Sequence, residues 1–79
     1  MKKPQMSQIS KLPLIEIAGD KRVLIENHIG ILAYSCEEIQ IKVCYGKVTV
    51  TGNNLRFMQM NGEQLVIKGC IENVQLVRR

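Results

Sequence analysis

The sequence predicts an all-β domain of short, glycine-punctuated strand repeats, and three observations carry that prediction. Residues 47–62 read KVTVTGNNLRFMQMNG, with apolar and polar side chains alternating through Val48-Thr49-Val50-Thr51 and again from Leu55 to Met60. Alternation at two residues is the spacing of a half-buried strand, whose successive side chains face opposite ways. Gly52-Asn53-Asn54 and Asn61-Gly62 interrupt it with residues that accept positive φ at little cost. The same plan then recurs. Residues 31–46 (ILAYSCEEIQIKVCYG) set Leu32, Tyr34, Cys36, Ile41 and Gly46 over Val48, Val50, Gly52, Phe57 and Gly62. In residues 64–79, Leu65, Ile67, Gly69, Val74 and Val77 take the places of Val48, Val50, Gly52, Phe57 and Met60. A looser copy begins near Leu14, with Ile15, Ile17, Gly19 and Gly30 at matching points. Copies at a period of about 16 to 18 residues point to a repetitive β architecture.

Taken in order, residues 13–18 (PLIEIA) form a first strand closed by Gly19-Asp20, and residues 22–26 (RVLIE) a second, with Val23 and Ile25 on one face. Asn27-His28 leads through Ile29 to Gly30 as a corner. Residues 31–34 form a third strand, and residues 35–38 turn. Residues 38–43 (EIQIKV) alternate strictly, burying Ile39, Ile41 and Val43. Tyr45-Gly46-Lys47 is a tight connection into the central block. Met58 and Met60 either form a soft contact surface or, after a bulge, return Met60 to the core. The small residue midway through every block favours a compact β-solenoid or two-sheet sandwich, each block adding one layer with a bend at its glycine. An antiparallel meander is the alternative. Both leave edge strands with unpaired backbone groups, and no proline or inward charge guards the last block. Its Gln75, Leu76 and Val77 are the candidate docking positions.

At 79 residues the chain holds one domain, with residues 1–12 (MKKPQMSQISKL) read as a flexible basic tail and residues 13–79 as the β domain. The hydrophobic content of 46% is that of a globular protein. The formal charge of +4 comes from the tails: between residues 12 and 77, six basic residues face seven acidic ones. No basic stripe is visible, and the three aromatics Tyr34, Tyr45 and Phe57 fall at or beside core positions, which disfavours nucleic acid as a partner. Lys2, Lys3 and Lys11 are few for holding the tail on an anionic membrane surface, and no run of about 20 apolar residues spans a membrane.

Three cysteines without a CxxC pair, and no signal-peptide h-region, suit a reducing compartment. Cys36 and Cys44 take small-hydrophobe positions of the repeat. Paired ligands are missing and His28 is the single histidine, so neither a metal nor another cofactor is expected. His28 has no nucleophile at a recognisable spacing and suits a turn residue. Glu37 and Glu38, adjacent on an extended chain, face opposite ways and cannot flank one bond. Gly46-Lys47 lacks the upstream glycine and following Ser/Thr of a phosphate loop. The chain is therefore expected not to be an enzyme.

The residues also carry a resemblance. Leu12-Pro13-Leu14-Ile15-Glu16-Ile17-Ala18-Gly19, the centre Ile25-Glu26-Asn27-His28-Ile29-Gly30-Ile31-Leu32, and Val48-Thr49-Val50-Thr51-Gly52 come first. Leu65-Val66-Ile67-Lys68-Gly69 and the tail Ile71-Glu72-Asn73-Val74-Gln75-Leu76 follow in the same order. Together they resemble the YabP/YqfC family of sporulation proteins, closest to its YqfC branch. The resemblance implies a cytoplasmic protein of the mother cell that acts in spore development. It implies no known enzymatic activity, and work beside a membrane-associated sporulation protein of the YqfD type, peripheral to the forespore membrane. It supplies no catalytic residues. Its motif positions Asn27, His28 and Gly30 are candidates for interaction or for structure. The competing reading is a small regulatory or nucleic-acid-binding module that uses the basic tails, whose binding would weaken steeply with salt.

Overall fold

A computed structural model describes residues 12–78, so the expected tail lies outside the described residues up to Lys11. Six strands form, with no helix among the described residues: β1 (Leu14–Ala18), β2 (Arg22–Glu26), β3 (Gly30–Tyr34), β4 (Glu38–Val43), β5 (Gly46–Gln59) and β6 (Gln64–Arg78). All neighbours pair antiparallel in one sheet of order β1-β2-β6-β5-β4-β3. The all-β expectation holds, and of its two architectures the antiparallel one is found. The favoured solenoid or two-sheet sandwich is corrected: solenoid coils stack their strands parallel and a sandwich has two separate sheets, whereas every neighbour here pairs antiparallel within a single sheet.

The small-residue corners are nonetheless real, and they line up side by side. Gly19 (φ 58) turns β1 into β2, where Lys21 N–H donates to Ala18 O at 3.1 Å. Ser35 turns β3 into β4, its Oγ accepting from the N–H groups of Glu37 (3.2 Å) and Glu38 (3.0 Å). In β5 and β6 the chain does not reverse at its corner but bulges, with register shifts at Thr51/Gly52 and between Asn53 and Arg56. Lateral hydrogen bonds join all four corners. Ile71 N–H reaches Asp20 O at 2.8 Å, Gly52 N–H reaches Glu37 O at 3.1 Å, and Leu55 N–H reaches Cys36 O at 2.8 Å. Two blocks thus became hairpins and two became long bent strands.

This seam divides the sheet into two arms. One holds β1, β2, residues 64–68 of β6 and residues 56–59 of β5. The other holds β3, β4, residues 46–51 of β5 and residues 73–78 of β6. Val23, Ile25, Leu65 and Ile67 from the first arm and Ile39, Ile41, Val48 and Val50 from the second are all 0% exposed and belong to one cluster. A flat open sheet leaves each face to water, so such burial requires the arms to close face to face over a shared core. The three residues between β2 and β3 agree: Asn27 N–H bonds Glu63 O at 2.7 Å, and Ile29 N–H bonds Lys42 O at 2.8 Å, one on each side of the gap.

The bend depends on close backbone approach. A Cβ on Gly52 would lie 2.0 Å from Cys70 O, and one on Gly69 (φ 139) 2.6 Å from Asn54 O. Asn54 itself takes positive φ (55), which asparagine tolerates. We expect Gly52→Ala to cost about 1–3 kcal/mol in urea unfolding, since the clash is with backbone that cannot step aside. Gly62→Ala, with nothing within 4 Å of its Cβ, is the near-neutral control. Ile67→Pro, central between β2 and β5, should cost about 3 kcal/mol or more and leave no cooperative thermal transition.

Candidate interaction site

The candidate residues fall in two places, and the fold does not bring them together. Asn27, His28 and Gly30 form the link from β2 to β3, while Gln75, Leu76 and Val77 lie in the last turnless run of β6. Asn27 takes positive φ (64), and its side-chain Nδ2 donates to Leu12 O at 3.0 Å. Its role is to fix the path of the chain between the arms. Gly30 opens β3 opposite Lys42, with open space around its Cβ position.

His28 is tied to the far end of β5. Gln59 Nε2 donates to Asn61 O at 2.7 Å and lies 3.3 Å from His28 Nε2. Nδ1 is buried without a partner among the described residues. Cys44 lines the same shallow depression, with Asn27, Ile29 and Glu63, but no hydrogen bond joins its thiol to the imidazole. Among the described residues no three His, Cys, Asp or Glu side chains gather as a metal ion requires.

Cys36 and Cys44 are exposed free thiols, as is Cys70, which corrects their reading as packed small hydrophobes. Both sit in or beside turns, where the side chain leaves the sheet instead of entering it. Met58 and Met60 stay outside, at 51% and 55% exposure, because the bulge in β5 falls before Phe57 and not after it. Tyr34 is 55% exposed but sets its ring edge against Phe57, centroids 4.8 Å apart.

The distinctive surface is made of edges. β2 pairs with β6 only from Gln64 to Lys68, and Gly69 and Ile71 close the seam against Lys21 and Asp20. Past Ile71, the outer side of β6 meets no strand among the described residues. Seven residues, Glu72-Asn73-Val74-Gln75-Leu76-Val77-Arg78, therefore run along an open edge that contains Gln75, Leu76 and Val77. Leu76 is 56% exposed although it lies directly across from the fully buried Val48. The sheet's outermost strands are apolar edges too: β1 exposes Leu14 and Ile17, and β3 exposes Ile31, Leu32 and Tyr34.

One bent antiparallel sheet with open edges, and no helix among the described residues, defines a small β protein whose surface is suited to strand pairing. The sequence model of the YabP family matches residues 10–79. The chain belongs to the YabP family, and membership implies a sporulation-associated protein. It is 30% identical over 66 residues to the uncharacterized protein YqfC of Bacillus subtilis (strain 168), a match covering 84% of this chain and 71% of that one. No solved structure matches it significantly. Among the described residues no helix is long and apolar enough to cross a membrane. Since the ring of His28 has one exposed hydrogen-bond contact, with Gln59, and no partner at Nδ1 among the described residues, His28→Ala should shift the free energy of urea unfolding by less than about 1 kcal/mol.

Proposed function

We propose that this protein is a non-enzymatic interaction module of the sporulating mother cell, working through strand pairing at the outer edge of β6. The single observation that carries the reading is the unpartnered run from Glu72 to Arg78. Exposed strands offer a row of backbone donors and acceptors to any extended segment, and pairing there extends the sheet. A second copy suits this edge well. Antiparallel pairing about Gln75 puts Val74 across from Leu76 of the other copy and brings Glu72 beside its Arg78, opposite charges at both ends. The assembled or single module then docks on a membrane-associated partner of the YqfD type at the forespore, from the cytoplasmic side.

Gln75→Lys places two cations across the axis of such a pair, so it should convert a dimer to a folded monomer in light scattering, with a cooperative thermal transition that no longer depends on protein concentration. Glu72→Arg and Arg78→Glu should each weaken association, and the double exchange should restore it. A double exchange no better than either single change would remove this edge from the interface. In a sporulating host, a fluorescent fusion should form a shell around the forespore that becomes diffuse when the membrane partner is deleted. His28→Ala should leave spore yield intact. Loss of spores by a stably folded His28→Ala protein would reopen an enzymatic reading.

A further inference from the structure

The outer face of the first arm carries an arrangement that strand pairing at β6 does not use. Across it, Arg22 lies directly opposite Lys68, and Lys68 directly opposite Arg56. Three basic side chains thus stand side by side on three adjacent strands, all exposed. The expectation of no basic stripe is overturned here, because positions 22, 56 and 68 meet only through the register. Like charges directly opposite on a sheet destabilise it. No carboxylate relieves these, since the one ion pair among the described residues is Lys21 with Asp20. The next row along the same face is apolar: Leu24 opposite Val66, and Val66 opposite Met58. Glu16 ends that row and Glu26 lies one row further, so the face is basic at its seam end and acidic at the other.

We infer that this face lies on an anionic lipid surface, with Arg22, Lys68 and Arg56 among the phosphates and Met58 and Leu24 reaching toward the acyl boundary. The three basic side chains are exposed and spread over three adjacent strands, about 10 Å from first to last, wider than one free phosphate would span. A membrane instead presents many phosphates to it at once. Cationic side chains beside an exposed Met58 and a half-buried Leu24 suit the boundary between headgroups and chains. Nucleic acid fits less well, for no aromatic ring shares the face: Phe57 pairs across to buried Ile67 and meets Tyr34, and Tyr45 lies under Arg78. Contact of this kind would bring the protein to a membrane independently of any protein partner.

The test is partition of the purified full chain onto vesicles of phosphatidylcholine alone and of equal parts phosphatidylcholine and phosphatidylglycerol. Binding is expected only with phosphatidylglycerol and is lost as salt is raised. Arg22→Gln, Lys68→Gln and Arg56→Gln should each weaken it about fivefold, while thermal midpoints hold or rise as the repulsion is relieved. The chain has no tryptophan, so Met58→Trp is a sole reporter. Its emission should shift to the blue on the anionic vesicles, whereas that of Thr49→Trp, on the outer face of the other arm, should not. Three results would overturn the assignment. They are equal binding to neutral vesicles, an equal loss in Lys42→Gln, whose side chain lies on the second arm, and binding to a single-stranded oligonucleotide or an acidic peptide without vesicle partition. The Gln75→Lys protein should still bind vesicles as a monomer, which separates this surface from the β6 edge.

Discussion

The structure depends on backbone passing close to backbone where β5 and β6 cross the seam. Cα of Gly52 and of Gly69 face carbonyl oxygens at distances no side chain could share. Without that approach the two long strands would form a straight ribbon, with Val48, Val50, Leu65 and Ile67 along one open face. Bent at the bulges, the same ribbon brings these residues into one cluster with Val23 and Ile25 of β2 and Ile39 and Ile41 of β4. A domain of this length has few apolar side chains to spend on two separate cores. One shared core, enclosed by folding a single sheet, is the economical solution.

The bend also creates the open edges. β2 is five residues long and covers only the first third of β6; β4 is six residues long and covers only the start of β5. Each hairpin stops at the seam because its own corner lies there, joined to its long strand by two hydrogen bonds. The remainder of each long strand emerges beyond its hairpin with one side unpaired. Core formation and edge exposure are therefore two results of one geometry, and neither can be changed alone. A longer β2 would cover residues 72–78, but it could not follow β6 around the corner without a bulge of its own.

Much of this was legible in the residues. Strict alternation placed β4 and the first half of β5, and the side chains it assigned inward, from Ile39 to Val50, are the buried ones. The turn chemistry of Gly19 and of Asn61, whose Oδ1 accepts from the N–H groups of Glu63 and Gln64, was equally plain. The repeat was visible too, but not what each copy does with its corner. Gly19-Asp20 and Gly52-Asn53 are nearly the same local signal, yet one reverses the chain and the other only bends it. The difference lies in which strands pair across the sheet, a long-range choice that local propensity does not encode. The same limit hid the partner of His28, which is 31 residues away, and the row formed by Arg22, Lys68 and Arg56.

The two arms share one plan, a hairpin laid against half of a long strand, and so their outer faces can be compared position by position. On the second arm the rows read Glu38, Thr51, Asn73, then Gln40, Thr49, Gln75, then Lys42, Lys47, Val77. The first two rows are polar or mixed and the third also sets like charges opposite, Lys42 across from Lys47, where Lys47 bonds Gln40 at 3.3 Å; no apolar row lies between them. On the first arm the matching surface has Leu24, Val66 and Met58 in the middle and three uncompensated cations beside them. Nothing in the fold requires that difference, for the second arm is built on the same backbone without it. Stability alone would favour polar residues at Met58 and mixed charge along the Lys68 row. The asymmetry is thus better explained by what the first arm meets than by what holds it together.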